Sequence, residues 1–164
     1  MQLTRRAVLL GGSAVAALST LSFWRTASQP LAAEGDFPFK LTDAEWKAKL
    51  DPAAYNVLRH EDTERPFTSP LNDEHRAGAF HCAGCDQLLF KSETKFDSGT
   101  GWPSFYDFVP GAIGTTEDNT FGMIRTEVHC SNCGGHQGHV FNDGPAPTGL
   151  RYCINGVSLS FVAA

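Results

Sequence analysis

The chain has 164 residues, of which 41% are hydrophobic and 19% are charged. This composition is typical of one globular domain and excludes a disordered or fibrous chain. The formal net charge is −5 and no run of basic residues follows the N-terminal segment, which argues against nucleic acid and anionic membrane surfaces as partners.

The first 33 residues have the features of an export signal. Arg5 and Arg6 precede an uncharged apolar run from Ala7 to Phe23, which is the order of basic and hydrophobic regions in a secretory signal. The paired arginines resemble a twin-arginine signal, and Ala33 is the expected cleavage point. We expect residues 1–33 to be a signal peptide, residues 34–164 to be the functional domain, and the protein to be periplasmic. An uncleaved segment would instead anchor it in the membrane.

Two short helices are predicted next. Thr42 and Glu45 fit a capping box, which predicts a helix to about Leu50. The Asp51-Pro52 pair supplies an N-cap followed by proline at the first helical position, which predicts a second helix through about His60. Residues 59–70 carry many charges and two prolines, so we predict an ordered arm there.

The chain from Phe80 onward is predicted to be mainly β. Short β-prone runs alternate with turn residues, at 88–91, 106–109, 123–129, 139–141 and 150–162. In the third run, apolar and polar residues alternate from Ile124 to His129, the pattern of a half-buried strand. In the last run, Asn155-Gly156 is a strong turn signal, so a bend is expected there.

Four of the five cysteines form two Cys-x-x-Cys pairs, Cys82 with Cys85 and Cys130 with Cys133. Two tight turns of this kind can close a tetrahedral shell of four thiolates around one zinc ion. Four thiolates leave no open coordination position, so such a zinc would be structural and not catalytic. The alternative is two disulfides, because an exported protein meets oxidants; we favour one structural zinc ion.

Cys153 is the cysteine left over, and such a thiol is either inert and buried or reactive. Arg151 and Asn155 lie two residues before and after it, and in an extended segment all three point the same way. A guanidinium beside a thiol lowers the pKa of the thiol and favours the nucleophilic thiolate. This polar face suits a reactive thiol better than a core position.

Three longer motifs carry a resemblance to a known family. Residues 101–105 read Gly-Trp-Pro-Ser-Phe, residues 135–144 read Gly-His-Gln-Gly-His-Val-Phe-Asn-Asp-Gly, and residues 151–155 read Arg-Tyr-Cys-Ile-Asn. Together they closely resemble the B-type peptide methionine sulfoxide reductases, which act on the R epimer at sulfur, and the two cysteine pairs match the zinc-containing members. The likeness spans roughly residues 38–163. It implies a mainly β fold with two small antiparallel sheets in a barrel-like arrangement, preceded by the short helices.

The resemblance also implies catalytic roles. Cys153 would attack the sulfoxide sulfur and be left as a sulfenic acid. Because the sulfoxide oxygen leaves only when protonated, a nearby acid is required, and His139, followed by His136, is the first candidate. Asp143 and Asn155 would orient these imidazoles or hold a water network.

Three more residues complete the expected site. Arg151 would favour the Cys153 thiolate, and Trp102 would supply an apolar wall for the S-methyl group of the substrate. Phe105 either extends that wall or belongs to the core, and we favour the core.

The sequence departs from many family members just before Gly101. Those members carry a second cysteine there that resolves the sulfenic acid through an internal disulfide, whereas this chain has Thr100 at that position. A hydroxyl cannot perform thiol–disulfide exchange. We therefore expect an external reductant, either a thioredoxin-like protein or a small thiol.

Two other functions remain open at this point. A non-catalytic zinc-knuckle binding module would need the paired cysteines but neither Cys153 nor the two histidines. A thiol–disulfide oxidoreductase would use a Cys-x-x-Cys pair as its redox centre, which fails if those cysteines hold zinc. The favoured interpretation is a monomeric enzyme that repairs oxidised methionine in exported proteins.

Overall fold

The computed structural model describes residues 35–164, apart from the side chain of Phe121. The predicted signal peptide, residues 1–33, lies outside the described residues. Within residues 35–164, no helix has both the length and the apolar character needed to cross a membrane.

Both predicted helices are confirmed, as α1 (Asp43–Lys49) and α2 (Pro52–His60). The Thr42 hydroxyl accepts a hydrogen bond from the Glu45 backbone N–H, and the Glu45 carboxylate accepts one from the Thr42 backbone N–H, which completes the capping box. Asp51 caps α2 by accepting a hydrogen bond from the Ala54 N–H at 2.9 Å. Each cap satisfies N–H groups that the first helical turn leaves free.

Nine strands follow these helices in the chain. They are β1 (Gly78–Cys82), β2 (Leu88–Lys91), β3 (Lys95–Phe96), β4 (Ser104–Phe105), β5 (Ile113–Asp118), β6 (Arg125–Cys130), β7 (His136–Phe141), β8 (Arg151–Ile154) and β9 (Leu159–Ala163). Short 3-10 helices lie at Pro70–Asp73, Ser92–Thr94, Thr120–Gly122 and Gly156–Ser158.

The strands form two antiparallel sheets, which confirms the mainly β prediction. One sheet has the order β2-β1-β9 and the other has the order β3-β4-β8-β7-β6-β5. Both sheets are open among the described residues, so the barrel-like arrangement does not extend to a closed barrel. The 3-10 helix Gly156–Ser158 carries the chain from β8 in one sheet to β9 in the other, which is the bend predicted at Asn155-Gly156.

Two strand predictions are wrong in detail. Residues 106–109 form no strand, because β4 ends at Phe105. The predicted half-buried alternation from Ile124 to His129 also fails, because Ile124 is 82% exposed and β6 is buried from Glu127 onward. β6 pairs along both edges, with β5 and β7, and its side chains on both faces are buried from Glu127 onward.

Aromatic side chains form the centre of the core. The Phe105 ring stacks on the Phe90 ring with centroids 4.3 Å apart, and it meets the Phe80 ring edge-on at 4.9 Å. All three side chains are fully buried. Phe105 therefore belongs to the core, as favoured, and does not extend the substrate wall.

Candidate active site and metal centre

The four paired cysteines converge between the two sheets. Cys82 ends β1 and Cys130 ends β6, while Cys85 and Cys133 lie in the turns that follow. All four sulfur atoms lie within 4.8 Å of one another. The Cys82 and Cys133 sulfurs are 3.7 Å apart, and the Cys85 and Cys130 sulfurs are 3.5 Å apart. The cluster joins the smaller sheet to the larger one.

These sulfur separations fit a shared metal ion and do not fit disulfides. A disulfide has an S–S distance of about 2.05 Å, whereas four thiolates about 2.3 Å from one tetrahedral ion lie roughly 3.8 Å from one another. All four cysteines are free thiols. Gln137 supports the cluster by donating a hydrogen bond to the Cys82 sulfur at 3.4 Å. The four residues can therefore hold one metal ion.

Cys153 lies away from this cluster, in the middle of the larger sheet. Its strand β8 pairs with β4 and β7, which places Ser104 on one side of Cys153 and His139 on the other. Gly138 lets β7 approach this point, because a Cβ on Gly138 would lie 2.0 Å from the Cys153 carbonyl oxygen. The half-buried thiol lines a cavity of about 130 Å³ together with His139 and Trp102.

A chain of hydroxyl groups lies beside the thiol. The Thr100 hydroxyl oxygen is 3.8 Å from the Cys153 sulfur. Ser98 connects this hydroxyl to that of Ser104, with oxygen–oxygen distances of 2.8 Å and 2.7 Å. Thr100, which stands where the family resemblance places a resolving cysteine, thus faces Cys153 with a hydroxyl.

Electrostatics at Cys153 differ from the expectation. Burial raises the pKa of the Cys153 thiol, and the Thr100 hydroxyl and the Arg151 charge oppose this rise only in part. The Arg151 guanidinium is shared with other groups, since it forms two hydrogen bonds of 2.9 Å with Asp143 and lies 4.5 Å above the Phe141 ring. The raised pKa favours the protonated thiol, and the Arg151 charge does not bring the pKa below its ordinary value.

His139 is held by Asp118, on β5. The Nε2 of His139 lies 2.8 Å from a carboxylate oxygen of Asp118. Burial raises the pKa of Asp118, but hydrogen bonds from Thr120 and His139 more than offset it, so the pKa lies below its ordinary value. An ionised carboxylate only accepts, so Nε2 donates and Nδ1 is left to take up or release a proton. Burial lowers the pKa of His139, which keeps the imidazole neutral at rest.

His136 is held by a second carboxylate, Glu127 on β6. The Nδ1 of His136 lies 2.8 Å from Glu127, and the His136 and His139 rings meet edge-on with centroids 5.4 Å apart. Burial raises the pKa of Glu127, but hydrogen bonds from His129 and His136 outweigh it and bring the pKa to about 2. The Nε2 of His136 is buried without a partner among the described residues.

The imidazoles are not oriented by Asp143 and Asn155, the residues first expected to orient them or to hold a water network. Asp118 and Glu127 hold the two rings, whereas Asp143 binds Arg151. Asn155 is 3% exposed and forms no hydrogen bond with either histidine. Its amide donates to the Gln137 carbonyl oxygen and accepts from the Glu64 N–H. The alternation on β6 placed Glu127 on the solvent side, and β5 with Asp118 was not predicted at all.

Trp102 lies where the sequence analysis placed it, in the wall of the cavity. Its indole N–H donates to the Glu64 carbonyl oxygen at 3.1 Å. The remaining lining comes mostly from residues that no sequence motif marked as site residues: Thr63, Arg125, Gly138 and Phe141.

A lone thiol in a cavity with a histidine–carboxylate pair, kept apart from four clustered thiols, is typical of a cysteine-dependent enzyme with a separate metal centre. Residues 50–163 match the SelR domain, and the chain belongs to that family. It is similar to proteins called peptide methionine sulfoxide reductase MsrB. The Agrobacterium fabrum protein is 56% identical over 121 residues, covering 73% of this chain and 90% of its own length.

Two further relatives bear the same name. The Pseudomonas putida protein is 60% identical over 118 residues, covering 71% of this chain and 89% of its own length. The Leifsonia xyli protein is 53% identical over 132 residues, covering 79% of this chain and 95% of its own length. The family predicted from the three motifs is thereby confirmed.

Proposed function

We propose that this protein is a peptide methionine sulfoxide reductase that acts on the R epimer in proteins and peptides. The observation that carries the proposal is the placement of Cys153 directly across from His139 on neighbouring strands, both facing one cavity. The relatives that share most of this chain are named peptide methionine sulfoxide reductases. The cavity holds about 130 Å³, enough for the end of one side chain.

In the first step, Cys153 attacks the sulfoxide sulfur. The sulfur–oxygen bond of the substrate breaks, the oxygen ends on Cys153 as a sulfenic acid, and methionine is released as the thioether. In this reaction the proton of the Cys153 thiol is transferred to the sulfoxide oxygen. Neutral His139, with Asp118 on its Nε2, can take that proton on Nδ1 and deliver it to the sulfoxide oxygen.

Trp102 supports binding of the substrate. Its ring forms part of the cavity wall beside Cys153, and methyl–sulfur groups make favourable contacts with aromatic rings. His136 and Glu127 lie behind His139 and would keep its ring in place while the proton moves.

The second step restores the thiol with an outside reductant. One thiol condenses with the sulfenic acid to give a mixed disulfide and water, and a second thiol releases Cys153 and leaves as a disulfide. Thr100 faces Cys153 but cannot take part in this exchange. A thioredoxin-like protein or a small thiol is therefore the proposed donor.

We assign zinc to the four-cysteine cluster. Thiolate ligands and the sulfur separations suit this ion. When bound, it would hold the two sheets together and supply no chemistry to the cavity, since Cys82, Cys85, Cys130 and Cys133 would fill its coordination shell. We also propose that residues 1–33 direct export to the periplasm and that the enzyme acts as a monomer.

The assignment is tested with separated R and S epimers of a peptide methionine sulfoxide and dithiothreitol as reductant. We expect turnover of the R epimer only. Without reductant, one turnover should release one methionine per chain and leave a sulfenic acid on Cys153 that dimedone traps. Turnover of the S epimer alone would overturn the assignment.

The recycling step is tested by Thr100→Cys. In the wild type, no disulfide to Cys153 should form after one turnover, whereas the variant should form one with the new thiol at that position. Mass spectrometry of tryptic peptides reports the linkage. A Cys153 disulfide to any zinc-cluster cysteine in the wild type would contradict recycling by an external thiol alone.

A further inference from the structure

Glu64 connects three parts of the candidate active site. Its backbone N–H donates to the Asn155 side-chain oxygen at 3.0 Å, and its backbone carbonyl accepts from the Trp102 indole at 3.1 Å. Its carboxylate accepts from the backbone N–H groups of Gly156 and Val157, the latter at 3.2 Å. One residue thus joins the cavity wall to the turn that follows the Cys153 strand.

The position of Glu64 in the arm makes these contacts important. Residues 61–69 form no helix or strand, and from residue 62 to 68 every side chain except that of Glu64 is exposed. Thr63, beside Glu64, lines the Cys153 cavity. The arm therefore forms one wall of the site. Its position depends on a small number of hydrogen bonds, mainly those of Glu64 and the bond from the Phe67 N–H to the Gly101 carbonyl oxygen.

The arm is held tightly where Glu64 meets the turn. A Cβ on Gly156 would lie 1.8 Å from the Ser69 hydroxyl oxygen and 3.2 Å from a Glu64 carboxylate oxygen. Glycine at 156 is what allows the arm to sit directly on the backbone of this turn. The arm is also held further along, where the Phe67 N–H donates to the Gly101 carbonyl oxygen at 2.7 Å. Loss of the Glu64 carboxylate would release the arm from the turn at residues 156 and 157 and let the Glu64 carbonyl, the hydrogen-bond acceptor of Trp102, change position.

We infer that Glu64 is a positioning residue that sets the Trp102 wall relative to Cys153, without touching the sulfoxide itself. The kinetic part of this inference rests on the proposed function. Trp102 would contact the substrate equally in the bound complex and in the transition state. A displaced indole therefore weakens the binding of both, which raises KM more than it lowers kcat. A variant that merely unfolds part of the population would lower kcat and leave KM unchanged.

The experiment compares Glu64→Ala and Glu64→Gln with Glu93→Ala, an exposed glutamate whose carboxylate accepts no hydrogen bond among the described residues. The first readout is the indole N–H signal of Trp102 in an NMR spectrum, assigned with Trp102→Phe. The second is the pair of constants KM and kcat for a peptide R-sulfoxide.

We expect Glu64→Ala to shift the Trp102 indole signal and to raise KM about tenfold, with kcat within about threefold of wild type. Glu64→Gln keeps one acceptor oxygen and should show a smaller shift, while Glu93→Ala should match wild type. If the alanine variant does not fold, the glutamine variant decides.

The inference is overturned if folded Glu64 variants keep the wild-type indole signal and KM. The indole signal does not depend on turnover. Wild-type protein that reduces no sulfoxide, combined with an indole shift in Glu64→Ala, would therefore reject the proposed function and retain the positioning role.

Discussion

The chain uses cysteine in two different surroundings. At the junction of the sheets, four thiols have each other as neighbours, with all sulfurs within 4.8 Å. In the larger sheet, Cys153 has a hydroxyl at 3.8 Å and an imidazole on the next strand. The first surrounding concentrates ligands for one cation, and the second supplies groups that move protons. The groups that surround a thiol therefore indicate whether its role is structural or chemical better than its burial does.

Removal of the metal should have the largest effect on the molecule, because the cluster is a direct tie between the two sheets. We expect chelation or Cys133→Ser to lower the free energy of unfolding by several kcal/mol, a large share of the roughly 5–15 kcal/mol typical of a domain. Urea unfolding with parallel metal analysis measures this. Cys153→Ser is the matched control, and its free energy of unfolding should stay within about 1 kcal/mol of wild type. Equal losses in the two variants would contradict a structural role that belongs to the four-cysteine cluster and not to Cys153.

Cys153→Ser should abolish turnover, with kcat/KM down at least about 1000-fold, because serine is a far weaker nucleophile at this pH. The metal content and the unfolding midpoint should not change. Reduction of a peptide R-sulfoxide is the measurement. A serine variant that retained more than a tenth of the activity would favour the zinc-knuckle binding module and attribute the activity to a contaminant.

His139→Gln should lower kcat/KM about 100-fold, the usual size of a lost proton-transfer group. Asp118→Asn should cost less, about tenfold, because the imidazole remains and only its orientation is relaxed. Steady-state kinetics report both, and His75→Gln, an exposed histidine, serves as the control. Equal losses at positions 75 and 139 would point to a general effect and not to proton transfer.

The smallest predicted effect concerns the pH at which Cys153 reacts. Because burial raises the pKa of this thiol, the thiolate forms, and alkylation accelerates, at higher pH than for cysteine in an unfolded peptide. Thr100→Val removes the hydroxyl that opposes the rise, so its alkylation midpoint should move higher still. The rate of iodoacetamide labelling against pH gives both midpoints. A wild-type midpoint below that of the peptide would contradict the effect of burial.

Local features of the fold were predictable, because their causes lie within a few residues. The caps at Thr42 and Asp51 involve groups three residues apart, and the bend at Asn155-Gly156 follows from its turn chemistry. The strand predicted at 106–109 does not form, because the length of a strand depends on partners distant in the chain, and β8 pairs only with Ser104 and Phe105. Phe105 could not be placed between wall and core from sequence alone, since stacking on Phe90 depends on the packing of the two sheets.

Residue types and their spacing establish which atoms are available: four thiols in two pairs, one thiol apart, the imidazoles of His136 and His139, and a threonine in place of a second reactive thiol. How these groups come together depends on the folded chain. Pairing of β5, β6 and β7 brings Asp118 to His139 from 21 residues away, and folding of the arm brings Glu64 to Gly156 from 92 residues away. Such contacts depend on strand register and chain reversal, which no short stretch of residues fixes.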